Sequence, residues 1–309
     1  MGRLRVRDWQ LGFISVIICV SLLYAAVITR GTVQPVLADI GSSFAFVGMV
    51  RLLQLGREQL LNKRFRTFFG SELCRDQTVF VYPDFEMHDE VRAILGSHNQ
   101  QLIYQRPRRR SSASREHRID LELAVARNDI QALLYVSSLF DSTPSCPNIM
   151  QVDGDIVEQC DSSFISFGLS SNDCTHLYLD ESDDPLFEIV EDGSGSEYLR
   201  MSSGREYVST TDKQFGLILR HTPANQGVPG RRWFIIAGLG ASGTTGAAWF
   251  LSHNWRELAK RTRPGSDFAV IVSCSPHTDR TAKLIDIHTS PQHKPPLDPP
   301  TERTTAIAM

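Results

Sequence analysis

Ser242, Thr244 and Thr245 stand among Gly238, Gly240, Gly243 and Gly246 in the run GLGASGTTG. Hydroxyls and unhindered backbone N–H groups in such a run suit the holding of an anion such as a phosphate. An apolar stretch with strand character precedes the run at 233–237. After it, residues 247–260 have helical spacing, with Ala248, Leu251, Trp255, Leu258 and Ala259 on one face. A buried strand that passes through a glycine bend into a helix aims amides and the positive end of the helix dipole at one point. The same glycines have a second reading, tight strand-to-helix packing beneath Trp249 and Trp255.

Gly168, Ser170, Ser171 and Asn172 repeat the arrangement. They follow the apolar run 163–168 and precede a short helical stretch at 174–179. In a parallel sheet both bends open at the carboxyl ends of their strands, where open α/β sheets take ligands. Asp84, closing the run TVFVYPDF, reaches the same edge. The expected site is therefore Gly238, Gly240, Ser242, Gly243, Thr244, Thr245, Gly168, Ser170, Ser171, Asn172 and Asp84. Its expected ligand is a nucleotide or another phosphorylated small molecule.

Several chemistries lack their residues. Positions 238–243 match GxGxxG, but the strand at 268–273 ends in Ser273-Cys274 without the carboxylate that a dinucleotide ribose requires, and Glu257 falls inside the helix. No Gly-Lys-Ser/Thr follows, which argues against a phosphate-loop kinase or GTPase. Neither HExxH nor CxxC occurs and Cys174-x-His176 is the one tight pair, so no metal is expected. Ser242 lies on a strand-to-helix turn without the flanks of a hydrolase nucleophile. An enzyme reading rests on Asp84 or Asp129 as an acid–base group for nucleotide or glycosidic-bond hydrolysis. The plainer readings are a turn or cap for Asp84 and an exposed turn for Asp129. No particular cofactor is implied.

The elements that must position these residues belong to an α/β domain at 71–289. Residues 78–85, 163–168, 214–220, 233–237 and 268–273 read as strands, with shorter ones at 149–152 and 282–288. Residues 120–140 read as a helix, and 186–190 with 197–201 as a hairpin. Only ten residues, rich in Pro and Gly, separate 214–220 from Arg231, so that strand runs antiparallel to its successor. The expected fold is Rossmann-like, with three layers and a mixed, mostly parallel sheet. Residues 106–118 carry six arginines and no interleaved aromatics, and read as a solvated loop. Residues 290–309 read as a disordered Pro-rich tail. A net charge of −3 gives no global attraction to nucleic acid. Cys19, Cys74, Cys146, Cys160, Cys174 and Cys274 are scattered and read as free thiols of a reducing compartment.

Residues 1–70 read as a membrane anchor. The stretch 11–28, LGFISVIICVSLLYAAVI, is uncharged and just long enough to cross a bilayer core. A second candidate span is 35–50, with Asp39 inside it, followed by a basic amphipathic linker to 70. Arg3, Arg5 and Arg7 precede the first span, and Arg51, Arg57, Lys63, Arg64 and Arg66 follow the second, whereas the connection holds Arg30 alone. That asymmetry favours a two-helix hairpin with the domain in the cytoplasm. The alternatives are a single transmembrane helix with its N-terminus outside, a cleaved signal peptide, and a second stretch that lies on the membrane and continues through Leu61.

The runs GLGASGTTGAAWFLSHNW and SFISFGLSSN, behind a membrane segment, resemble a group of uncharacterised bacterial membrane-anchored proteins. In those, GLGxxGTxGAAW follows a strand near the C-terminus and an earlier strand ends in a GGPxSN-like turn. The resemblance covers about residues 79–289 and implies a Rossmann-like domain without an assigned activity. It departs at 168–172, where one glycine stands for two. The layout is also similar to sensor and effector proteins of bacterial nucleotide signalling and defence.

Overall fold

The computed structural model describes residues 17–18, 20–21, 24–25, 27–28, 33–73, 77–83, 126–141, 148–159, 162–223, 231–240 and 242–290. Most of the apolar stretch 11–28 lies outside them, as do Asp84, Ala241, the arginine-rich 106–118 and the tail 291–309. The elements in order are α1 (Val33–Phe69), β1 (Thr78–Tyr82), α2 (Arg127–Asp141), β2 (Asn148–Val152), α3 (Asp153–Gln159), β3 (Phe164–Phe167) and α4 (Asp173–Glu181). There follow β4 (Phe187–Glu191), β5 (Glu197–Met201), β6 (Glu206–Tyr207), β7 (Gln214–His221), β8 (Trp233–Leu239), α5 (Gly243–Arg261), β9 (Phe268–Ser275) and β10 (Thr278–Thr289).

The central sheet has the order β2-β1-β3-β8-β7-β9-β10. β2, β1, β3 and β8 are parallel neighbours. β7 is antiparallel to both β8 and β9, and β10 to β9. β9 therefore runs with β8, and the sheet is mixed and mostly parallel, as expected. β8 is buried along nearly its whole length because both faces are covered. Phe234 and Ile236 join the core beneath α2 and α5, while Ile235 and Ala237 join the opposite core beneath α4 and the small β4-β5-β6 sheet. The alternation of β9 is the same: Phe268, Val270 and Val272 face one way, Ala269 and Ile271 the other.

The end of α1 belongs to this core. Phe65, Phe68 and Phe69 are buried, and their spacing puts them on one helical face. Phe65 meets Trp255 edge-on at 5.2 Å, Phe69 lies 5.1 Å from Phe234, and Phe68 stacks on Phe268 at 5.6 Å. Residues that read as the tail of a linker are thus the lid of the domain.

The expected second span, 35–50, is corrected. It forms the first half of α1, which continues unbroken to Phe69, and among the described residues no helix is long and apolar enough to cross a membrane. Asp39, Gly41, Ser42 and Ser43 interrupt the apolar run, and both serine hydroxyls donate back to the Asp39 carbonyl at 2.9 Å. The reading of one helix continuing through Leu61 matches the extent of α1.

Arg220, fully buried on β7, ties α1 down. Its Nη1 donates to the Phe68 carbonyl, Nη2 to the Arg263 carbonyl and Nε to the Ser266 carbonyl, each at 3.0 Å. The guanidinium also lies 5.6 Å from the Phe68 ring centre and 4.4 Å from that of Phe268. Burial pulls its pKa down to about 10, and the charge of Arg232 adds to the fall. An Arg220→Met substitution leaves three carbonyls without their donor. We expect a loss of about 3 kcal/mol or more in denaturant titration, with Arg220→Lys falling between it and the parent.

Candidate functional site

The two glycine bends are neighbours, as the sequence predicts. β3 and β8 pair with Phe167 opposite Ile236, and the Gly168 amide donates to the Ile236 carbonyl at 3.0 Å. The end of β1 arrives beside them: a Cβ built on Gly168 would lie 3.6 Å from Cγ of Pro83. Asp84 itself is outside the described residues.

Within the first bend several of the groups that would hold an anion have partners in the chain. The Ser242 amide donates to Oε1 of Gln214 at 2.6 Å, and the Gly243 amide to the Gly240 carbonyl at 3.2 Å. Ser242 occupies the N-cap of α5 without making a side-chain cap. Its Oγ instead accepts the His277 amide at 2.7 Å. Ser242, Thr244 and Thr245 are buried, and the Thr245 hydroxyl donates to the Ser242 carbonyl at 3.1 Å. The glycines are explained by contact. A Cβ on Gly238 would fall 2.2 Å from the Gly243 carbonyl carbon, and one on Gly243 would fall 2.3 Å from the Phe215 carbonyl oxygen. The first turn of α5 rests directly on the backbones of β7 and β8, which only glycine permits. Gly240 makes the turn itself, at φ 79°.

The second bend is occupied in another way. Asn172 caps α4, with Oδ1 accepting the Cys174 amide at 2.8 Å and the Ser166 hydroxyl at 2.9 Å, and Nδ2 donating to the Phe167 carbonyl at 2.8 Å. The amide of Asp173, first in the helix, donates to Oδ2 of Asp153 at 3.0 Å. Asp153 is a buried carboxylate at the end of β2, so the chain supplies its own anion to this helix N-terminus. The Ser170 hydroxyl donates to Oε2 of Glu197 at 2.7 Å, and Ser171 is exposed.

The opposite, amino edge of the parallel strands carries a feature that the sequence reading missed. Arg232 and Gly265 lie just before β8 and β9, and Gly70 follows the end of α1. Between them and the last turns of α1 is a cleft of about 700 Å³. Lys63, Arg66 and Arg232 line it, and none of its lining residues is acidic. Around the other side of α1 is a second cavity of about 390 Å³. Lys63 and Arg64 there meet Arg256, Lys260 and Arg263 of the end of α5 and the loop after it, again with no carboxylate in the lining.

Arg232 is held in place. Its Nη1 donates to the Thr222 hydroxyl, which donates at 2.7 Å to Oδ1 of Asp267, and Oδ2 of Asp267 meets Nδ1 of His221 at 2.9 Å. Burial pushes the Asp267 carboxyl up, but the hydrogen bond and charge of His221 outweigh it, and the group stays below its ordinary value. Burial pulls the Arg232 guanidinium down, against the opposing charges of Asp267 and Glu72. Gly70 makes the room. It ends α1 at φ 98°, with its amide on the Arg66 carbonyl at 2.9 Å, and a Cβ there would fall 2.6 Å from Cγ of Arg232. The signal available in the sequence was the basic turn RELAKRTR at 256–263, which has no local link to Lys63 and Arg64.

Asp129 is not in an exposed turn. It is buried in the first turn of α2, and desolvation raises its carboxyl from 3.8 to about 6. Since α2 returns between parallel strands, that first turn lies at the carboxyl edge, away from the cleft. Among the described residues no group of three or more His, Cys, Asp or Glu side chains could hold a metal, and Cys174 and Cys274 are buried thiols outside any disulfide. Burial raises the Cys274 thiol to about 11, which makes it a poor nucleophile. Comparison of the chain with family models, with curated proteins and with solved structures finds no match.

Two outcomes follow from this geometry. Gly243→Val drives side-chain atoms into the β7 backbone, and we expect roughly 3 kcal/mol or more of destabilisation in a chemical melt. For Asp129 the folded pKa exceeds the unfolded one, so the folded state holds the extra proton between about pH 4 and 6. Stability is therefore favoured at low pH and lost as pH rises through 6. Asp129→Asn should raise the stability at pH 7 by at most about 3 kcal/mol and change little at pH 4, as read from melting curves at the two pH values.

Proposed function

We propose that this chain is a membrane-anchored, Rossmann-like binding domain whose ligand is a nucleotide or another phosphorylated small molecule. The ligand sits in the basic cleft at the amino edge of the sheet, and the glycine bends at the carboxyl edge act as scaffold. The observation that carries this reading is the cleft itself: Lys63, Arg66 and the half-buried Arg232 converge on one cavity whose lining has no carboxylate. A desolvated guanidinium in a fixed orientation is a ready partner for phosphate oxygens, which it can hold through two parallel N–H groups. Lys63 and Arg66 belong to α1, so ligand held between them and Arg232 bears on the helix that leads to the apolar segment 11–28. Binding at the cleft would then be reported through the anchor, with the domain on the cytoplasmic face that the flanking charges favour.

The enzyme reading is the weaker one. A proton-holding acid such as Asp129 suits hydrolysis, but it lies at the edge of the sheet opposite the cations that would bind a phosphorylated substrate.

The test is a thermal-shift panel of nucleotides, sugar phosphates and inorganic phosphate on the full chain in neutral detergent. We expect a rise of several degrees with at least one phosphorylated compound. Arg232→Ala or the pair Lys63→Ala and Arg66→Ala should remove the rise, while Ser171→Ala at the exposed bend should keep it. Loss on Ser171→Ala with retention in Arg232→Ala would return the ligand to the glycine bends. No rise with any anion would end the proposal.

A further inference from the structure

The second cavity differs from the first in being amphipathic. Leu60, Phe68 and Trp255 share its lining with Lys63, Arg64, Lys260 and Arg263. Leu60 is 62% exposed and ends a stripe on α1. Phe46, Met49 and Leu53, exposed by 64%, 54% and 66%, precede it at intervals of three, four and seven residues, which places all four on one face. The stripe is roughly 21 Å long at the helical rise, somewhat more than one leaflet of a bilayer core. A row of large apolar side chains that leaves a cationic cavity along an unpacked helix face calls for a ligand with both characters. A free nucleotide would engage the cations and leave the row uncovered.

We propose that this cavity takes the phosphate headgroup of an anionic phospholipid, whose acyl chains run along the Leu60–Leu53–Met49–Phe46 row of α1. The proposal rests on the reading that this edge of the sheet binds phosphate, and it names the lipid as the source. Lys260 and Arg263 hold the phosphate from α5 and its following loop, and Lys63 and Arg64 hold it from α1. Glu257, which pairs with Lys260 at 3.6 Å and with Arg261 at 3.0 Å, is not in the lining.

The cavity contains its own probe, Trp255. In neutral detergent micelles doped with lipids brominated on their acyl chains, phosphatidic acid should quench the tryptophan fluorescence of the full chain more than phosphatidylcholine does. The excess should vanish in Trp255→Phe. It should need at least about fivefold more lipid in a Lys260→Glu, Arg263→Glu double variant, whose altered side chains are exposed. Leu53→Glu, also at an exposed position, should lose the excess and yet keep any thermal shift given by inorganic phosphate. Equal quenching by the two lipids, or an excess that survives the charge reversal, would overturn the proposal. So would glycerol 3-phosphate that displaces the lipid at equal concentration, which would assign the cavity to a free phosphate compound. Absence of both quenching and any anion-dependent thermal shift would remove the phosphate reading as well.

Discussion

The attachment of α1 to the sheet depends on the buried guanidinium of Arg220. Arg220 leaves water without a carboxylate in contact, and its charge is balanced instead by three backbone carbonyls and two aromatic faces. Carbonyl dipoles in a dry environment are strong acceptors, and each would be costly to leave alone. One carbonyl belongs to the end of α1 and two to the loop between α5 and β9. The guanidinium therefore joins three segments that have no hydrogen-bond ladder in common. Because those segments wall the two basic cavities, the geometry of the cavities follows from where Arg220 places them.

The carboxyl edge of the sheet, where α/β domains ordinarily take their ligands, is governed by a different constraint. The first turn of α5 approaches β7 and β8 so closely that Gly216, Gly238 and Gly243 meet backbone to backbone. Such an approach buries Ser242, Thr244 and Thr245, and Gln214 and His277 occupy the Ser242 amide and hydroxyl. At α4 the attraction of a helix N-terminus for negative charge is met by Asp153. The two bends thus obey the physics that makes them look like phosphate sites, with their partners drawn from the chain itself.

What was legible in the sequence is what is encoded locally. The apolar run of β8, the bend and the amphipathic α5 are contiguous, and so are β9 and the β4–β5 hairpin. The antiparallel β7–β8 pair followed from the shortness of its connection, which leaves no room for a crossover. The fusion of α1 into the core was not legible, because Phe65, Phe68 and Phe69 declare their role only when Phe140, Phe234 and Trp255 arrive from distant parts of the chain. The basic cavities were hidden for the same reason. Lys63 and Arg64 read as charges flanking a membrane span, and Arg256, Lys260 and Arg263 stand at the end of α5, where cations are ordinary. Each group has a sufficient local explanation, and only their meeting across nearly the whole domain makes a site. Asp129 shows the converse error: a carboxylate within a helical pattern suggested an exposed turn, whereas packing of α2 buried it.

The two halves of α1 differ in a way that bears on how such a site would act. The last turns are fixed by aromatic packing and by the bond from Arg220 to the Phe68 carbonyl. The first half carries Val36, Ile40, Phe44, Phe46, Val47 and Met49 exposed, with no described element to cover them. A rigid attachment at one end and an apolar, exposed face along the other, opposite the buried Gly41, Gly48 and Leu55, make α1 a lever whose fulcrum is the cationic edge. On the proposed reading, a phosphate gripped between Lys63 or Arg64 and the cations of α5 adds a second constraint close to that fulcrum. Small changes there are carried along a helix roughly 55 Å long.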